Sequence, residues 1–472
     1  MPLLDLAGQP ERIRPGLPIH RLQHLDQWVY YTPGRLVVCS GVESKNLEAG
    51  LHGRHTPPWA RRMAAEFVAA ATATIARWRE WGDQEFAPEA LTVHLAGACN
   101  LSCGYCPSGG SSVPSAVLDV SVLRAVARTV ARSCAEKGKS LAVAFHGGGE
   151  PTLHWARLAT AVEATRGEAE QAGVKWQGYL ATNGTFESSK TAWLARNFDQ
   201  ISVSCDGPPY IQDVQRPFRD LMPSSAIVER NTRLLLEAGA NVSVRATVTR
   251  DGLGRQSELV AYLNQRLSVT RIRLEPVYRR REESLGLDPK DAEEFVLSFL
   301  EAQQTGGRCG CAVTTSCVRL DEIHGPYCDV LRDAVLVASD GAAYACAFRV
   351  GFEPLGSVGR DGVCVLRHDR LREARRRAAA LPAECEPCVN AYHCARGCPE
   401  ICYLSTPLQP PAAGFRCRAA QLLTAGWLRG AVRSIQAEKA DRAALGDDAA
   451  LRRLAGGPFA GVGHEAEDKI DR

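Results

Sequence analysis

Between residues 90 and about 303 the chain alternates six strand-like runs with helix-like stretches. That rhythm constrains the fold more than any other feature. The runs are LTVHLAG, SLAVAFHGGG, VKWQGYLATNG, QISVSCDG, NVSVRATV and RIRLEPV. Helix-like stretches fall at 119–137, 152–172, 222–238 and 288–303. Short β-rich runs separated by helical spacing predict parallel strands with helices outside the sheet. Eight such repeats close a barrel. Six predict an α/β fold with an open, partial (β/α)6 TIM barrel over 89–303. In such folds the chemistry gathers at the carboxyl ends of the strands, and here those ends carry glycines and cysteines.

The flanks read differently. WVYYTPGRLVVCS (28–40) predicts a hairpin with Pro-Gly as its turn, and 57–81 predicts a helix that starts at prolines. Residues 1–88 therefore form a small α+β element, either a cap on the main domain or a docking element for a peptide. From 304 to about 418 the rhythm stops, and short segments, glycines, prolines and cysteines take over. A region so poor in periodic structure needs metal staples. A closing helix over 417–440 completes a second domain, 304–440, and 441–472 reads as a weakly ordered tail.

Eighteen cysteines need an explanation, and twelve of them follow residue 300. The first residues lack a basic region followed by an apolar one, so no secretory signal is expected. FVAAATATIA (67–76) is too short to span a bilayer. The expected location is cytoplasmic, where thiols stay reduced and serve metals rather than disulfides. A formal charge of +3 over 472 residues predicts neither nucleic acid nor a membrane as partner.

Directly after the first strand, ACNLSCGYCPSGG (98–110) places Cys99, Cys103 and Cys106 within eight positions. Thiolates select zinc or iron–sulfur clusters, which usually take four protein ligands. Three cysteines hold three irons of a cubane and leave the fourth open to a small chelating ligand. Half of a zinc site is the competing reading.

Three further strand ends bear on the choice: FHGGGEPT (145–152), ATNGT (181–185) and SVSCDGPPYIQDVQRP (202–217). With the CxxxCxxC loop they resemble the radical S-adenosylmethionine superfamily. The resemblance implies that the open iron of a [4Fe–4S] cluster is chelated by the amino and carboxylate groups of S-adenosylmethionine. It implies that Gly148, Gly149 and Glu150 contact the methionine amino group and that Asn183 lines the cofactor. Ser204, Asp206 and Arg216 would meet its ribose or carboxylate. Taken singly, Asn183 and Asp206-Gly207 are ordinary turn residues. Glu275 reads as a pocket residue or a strand-end ion pair. His94 and His146 read as packed core histidines, and Cys134 and Cys205 as small buried residues.

The second half carries CDVLRDAVLVASDGAAYAC and CEPCVNAYHCARGC, followed by Cys417. The spacing is similar to the SPASM extension of radical enzymes, in seven cysteines and a glycine, Gly341. That resemblance implies two auxiliary [4Fe–4S] clusters. One would be held by Cys328, Cys346, Cys398 and an upstream cysteine, Cys317, with Cys311 and Cys309 as alternatives. The other would be held by Cys385, Cys388, Cys394 and Cys417. Cys364 and Cys402 receive no role. A zinc ribbon leaves too many cysteines unexplained.

Enzymes with both parts mostly modify peptides or proteins. In the sulfatase-maturating type an aspartate follows the GX4C cysteine; here that position is Ala347, which cannot accept a proton. The expectation is a maturase that abstracts hydrogen from a residue of a ribosomally made peptide, giving an oxidative thioether or carbon–carbon crosslink or a related modification. Its partners would be that peptide and an electron donor such as flavodoxin or ferredoxin. A small-molecule dehydrogenase or sulfatase-maturating-type protein oxidase, and a non-catalytic iron–sulfur electron carrier, are the alternatives.

Overall fold

The computed structural model describes residues 8–106, 117–277, 286–323, 333–344, 346–347, 350–351, 354–359, 361–394 and 414–443. The N-terminal unit is an antiparallel meander of β1 (Glu11–Arg12), β2 (His20–His24), β3 (Gln27–Thr32) and β4 (Arg35–Ser40). The expected hairpin is β3–β4, turned by Pro33 and by Gly34 at φ +79. The strand HRLQH that precedes it is too polar to announce itself. Two helices follow: α1 (Gly41–Leu51) and α2 (Pro58–Asp83). Ser40 caps α1 through a capping box with Glu43, and Pro58 opens α2. One face of the meander buries Ile19, Tyr30 and Cys39 against Leu47, Leu51 and Phe67. The other face packs Leu22, Val29 and Tyr31 on Val389, Leu428 and Val432, far along the chain.

The six expected strands are β5 (Ala90–Val93), β6 (Leu141–Phe145), β7 (Trp176–Thr182), β8 (Gln200–Ser204), β9 (Val242–Val248) and β10 (Arg271–Pro276). They lie parallel and side by side in chain order. Every residue of β6 is buried, as expected for a strand covered on both faces. Around them run α3 (Val120–Glu136), α4 (Trp155–Gln171), α5 (Thr191–Asn197), α6 (Pro209–Gln215), α7 (Ser225–Glu237), α8 (Gln256–Leu267) and α9 (Ala292–Arg308).

Two short strands extend the parallel sheet beyond the expected six. β11 (Ala312–Thr314) joins β10, and β12 (Ala334–Val337) joins β5. β13 (Ala342–Tyr344), β14 (Gly356–Val358) and β15 (Cys364–Leu366) continue antiparallel from β12. Among the described residues β11 and β12 do not pair, so the eleven-stranded sheet stays open. Both lie beyond residue 303, where glycines, prolines and cysteines replace the strand–helix alternation, which is why the alternation missed them. Beyond them lie α10 (His368–Ala379) and α11 (Phe415–Ala443). The start of α11 is pinned to α9 by an edge-on Phe295–Phe415 contact, centroids 5.5 Å apart.

The entries to β5 and β12 share one buried clasp. Asp333, at φ +52, accepts the Glu89 and Ala90 N–H groups on its carbonyl. Its carboxylate pairs with Arg375 at 2.8 Å, and Arg375 also donates to the carbonyl of Trp81. None of the described helices is long and apolar enough to cross a membrane.

Candidate functional site

The chain leaves β5 and runs through Ala96 and Ala98 into the three-cysteine loop. The glycines after β6 lie directly against this approach. Gly149 N–H donates to the Ala96 carbonyl at 2.8 Å, and Glu150 N–H to the Ala98 carbonyl at 2.9 Å. Gly148 sits at φ +73, and a Cβ on Gly149 would meet the Ala98 oxygen at 1.9 Å. Backbone lies on backbone here, which only glycine permits.

On its other side the loop is strapped to the segment after α6. Ser102 N–H donates to Pro217 at 2.8 Å, Gly104 N–H to Gln215 at 3.2 Å, and Arg219 N–H to Asn100 at 3.1 Å. Cys99, Cys103 and Cys106 are all half-buried. Cys99 Sγ accepts from the Leu101 N–H at 3.5 Å and from Asn183 Nδ2 at 3.8 Å. Burial pushes the Cys103 thiol up to about 11, while the Arg216 guanidinium pulls it down. Burial raises Cys99 as well, again against Arg216. Thiols raised in this way release protons when metal binds.

Glu150 and Asn183 join two strand ends. The buried Glu150 carboxylate accepts from Thr152 N–H (3.1 Å), the Thr152 hydroxyl (2.6 Å) and the Thr182 hydroxyl (2.7 Å) on Oε1. Its Oε2 accepts from Asn183 N–H at 2.6 Å. Burial pushes its pKa up, and these donors oppose the shift. The Asn183 amide reaches Asn100 Oδ1 at 2.9 Å, between Cys99 and Cys103.

Sequence reasoning missed Tyr105, the aromatic residue inside the cysteine loop. Its hydroxyl donates to Asp206 Oδ2 at 2.5 Å and accepts from Arg216 Nη1 at 2.6 Å. Asp206 is fully buried, and its Oδ1 takes the Thr247 N–H at 2.9 Å. Burial raises the Asp206 pKa, and Arg216 lowers it. Arg216 Nε is buried with no hydrogen-bond partner among the described residues. A buried guanidinium edge left open suits an anionic group of a ligand. Ser204 ends β8 half-buried, in register with Arg245 on β9.

His94 is buried beside Gly147, and burial lowers its pKa to about 3. His146 N–H donates to the Val93 carbonyl. Cys134 lies in the core, and Cys205 is buried with its pKa pushed up to about 12.

In the second half, Gln421 on α11 lies between two expected ligands of one cluster. Its Nε2 is 3.8 Å from both Cys388 Sγ and Cys417 Sγ. Cys388 Sγ also accepts the Asn390 N–H at 3.4 Å, and Cys388 N–H bonds Cys385 O at 3.1 Å in a tight turn. Cys385 is buried, while Cys394 is half-buried beside His393. The His393 ring shares a 2.8 Å hydrogen bond with Tyr31 of the N-terminal meander. Cys317 is buried, and Cys346 is half-buried at the end of the β13 segment. Cys328, Cys398 and Cys402 lie outside the described residues. Cys311 is buried at the entry to β11, and Cys309 is exposed. Cys364 is half-buried on β15.

Glu275 is a buried hub rather than an open pocket residue. Its oxygens accept from Ser316 N–H at 2.7 Å and from the Ser316 hydroxyl, and Arg416 stands 3.9 Å away. Among the described residues no three Cys, His, Asp or Glu side chains converge closely enough for a single ion. A cubane makes a looser demand, because each thiolate holds a different iron.

No protein-family model matches the chain. Its fold is similar to that of native anSMEcpe with bound AdoMet, at a TM-score of 0.59 and 21% identity over 74% of this chain and 99% of that one. The anSMEcpe complex with AdoMet and the Cp18Cys peptide gives 0.58 and 20%, over 74% and 98%. Streptococcus suis SuiB bound to S-adenosylmethionine gives 0.49 and 14%, over 84% and 96%. The anSMEcpe likeness shows the fold, a mixed α/β architecture built on an open, mostly parallel sheet.

Proposed function

We propose that a chain with this fold and these motifs is a radical S-adenosylmethionine enzyme that matures a peptide. The observation that carries the proposal is the eight-residue cysteine loop. It presents three half-buried thiols and is strapped on one side to the turn after β6 and on the other to the end of α6 and the segment after it. Its own Tyr105 holds the half-open Arg216 in place. The donor set fits a [4Fe–4S] cluster with one iron free of protein sulfur, together with an aminoacyl cofactor whose carboxylate meets Arg216. Such a cluster, when bound, would supply the electron for reductive cleavage of S-adenosylmethionine and so the means of hydrogen abstraction from substrate.

The chain's own residues then have defined tasks. Cys99, Cys103 and Cys106 hold the cluster. Gly148 and Gly149 let the backbone close over it, and Glu150 fixes the strand ends that border the methionine amino group. Asn183 orients Cys99. Asp206 and Tyr105 aim Arg216, and Ser204 lines the ribose side. Cys317, Cys328, Cys346 and Cys398 hold one auxiliary cluster. Cys385, Cys388, Cys394 and Cys417 hold the other, for which the shared Gln421 contact gives support. The domains follow as 1–88, 89–303, 304–440 and a tail.

A peptide substrate is supported by the Cp18Cys peptide bound to anSMEcpe, the fold likeness above. Ala347 argues against the sulfatase-maturating reaction, because alanine is no base. The product we propose is an oxidative thioether or carbon–carbon crosslink or a related modification, with a flavodoxin or ferredoxin as electron donor in the cytoplasm.

Anaerobic reconstitution tests the reading. The chain should bind about twelve irons, as three four-iron clusters, and form 5′-deoxyadenosine when reduced. Replacing Cys99, Cys103 and Cys106 with alanine should abolish that product; its persistence would place the chemistry elsewhere. Mass spectrometry of a co-expressed neighbouring short peptide should show loss of two hydrogens per crosslink. An unchanged mass removes the crosslinking assignment.

A further inference from the structure

We propose that Arg416, held by Glu275 and Ser316, is a positioning residue whose guanidinium sets the reduction potentials of both auxiliary clusters. The proposal rests on the reading above, in which Cys317 and Cys417 bind different clusters.

Ser316 immediately precedes Cys317, and Arg416 immediately precedes Cys417. Arg416 Nη2 donates to Ser316 Oγ at 2.9 Å, across 100 residues of sequence. Ser316 in turn donates its N–H and hydroxyl to the two oxygens of Glu275. Glu275 is 1% exposed, and a carboxylate so buried needs both donors and a countercharge. Arg416 supplies the charge at 3.9 Å. Arg416 thus precedes Cys417 in the chain while its guanidinium is fixed against the segment that carries Cys317.

The electrostatics have a clear sign. The Arg416 guanidinium lies against Ser316, the residue before Cys317, with the Glu275 carboxylate behind it. A cation that favours the thiolate also favours the reduced, more negative cluster. Cluster potentials respond to nearby charge and to hydrogen bonds, and more strongly where water is excluded. The anchor also belongs to the barrel. Glu275 is the register neighbour of Thr247, whose N–H binds Asp206, the partner of Tyr105 in the three-cysteine loop.

The test is a potentiometric titration, read by electron paramagnetic resonance, of the full-length reconstituted protein, with iron content measured in parallel. Arg416→Met should keep its iron and move both auxiliary midpoints to more negative potential, leaving the cluster at Cys99 unmoved. Arg416→Lys, which keeps the charge, should move them less. Unchanged auxiliary midpoints in Arg416→Met overturn the proposal. If Arg416→Met loses iron, Arg416→Gln, which removes the charge but keeps a side chain able to donate to Ser316, decides: a negative shift of both auxiliary midpoints upholds the proposal, and no shift overturns it. A wild-type chain without auxiliary iron overturns the reading beneath it, a failure distinguishable by iron content alone.

Discussion

The α-carbon of Gly149 faces the carbonyl oxygen of Ala98 so closely that a methyl group there would stand 1.9 Å from it. The contact sets where the backbone enters Cys99, one residue later. Replacing Gly149 with alanine must push the β6 turn and the cysteine loop apart. Under the proposed function the expected result is loss of about a third of the iron, the share of one cluster in three, and loss of S-adenosylmethionine binding. Iron analysis and equilibrium dialysis check this. Full iron content with wild-type binding would mean the loop does not depend on the contact.

Tyr105 joins two buried opposite charges through one hydroxyl. Tyr105→Phe keeps the ring but leaves Asp206 and Arg216 each short of a hydrogen bond, at a cost of about 1–3 kcal/mol. Asp206→Asn leaves the buried guanidinium without its countercharge, at about 3–5 kcal/mol. Urea unfolding of the two variants should therefore rank Asp206→Asn below Tyr105→Phe, and both below wild type. The reverse order would contradict the buried ion pair.

His20 and His94 are buried, and burial lowers both pKa values to about 3. Arg12 deepens the shift at His20, and His146 at His94. The folded state keeps them neutral, whereas the unfolded chain takes up protons near the ordinary histidine value. Their contribution to stability is thus complete above about pH 6.5 and is lost as pH falls toward 3, at about 1.4 kcal/mol per unit for each histidine. The urea midpoint should drop between pH 7.5 and 5.5, and the drop should shrink in His20→Gln. A midpoint independent of pH over that range would rule the account out.

Arg375 is 1% exposed and closes the clasp between α2, the entry to β5 and the entry to β12. Arg375→Met fills the space but strands Asp333. A loss of about 3 kcal/mol is expected, with earlier proteolysis near residue 333. Limited proteolysis and thermal unfolding read this directly, and wild-type behaviour in both would show that the clasp is dispensable.

Much of the architecture was legible. The six expected strands matched their apolar runs because each falls in the regular strand–helix alternation of residues 90–303. β11 and β12 did not, since Ala312–Thr314 and Ala334–Val337 belong to the sheet only through their neighbours. The cysteine loop was legible from spacing alone. The roles of Tyr105 and Glu275 were not, because each depends on partners 101 and 41 residues away.

By itself the sequence determined the open parallel barrel, the strand ends where chemistry gathers and the cysteines offered there. Those properties are local: residue type, spacing and periodicity act over a few positions. Tertiary structure alone decided which buried charges meet, that the N-terminal meander lies against His393, and that Arg416 reaches the segment of Cys317. A buried ion finds its countercharge through space, and nothing in the order of residues along the chain encodes that distance.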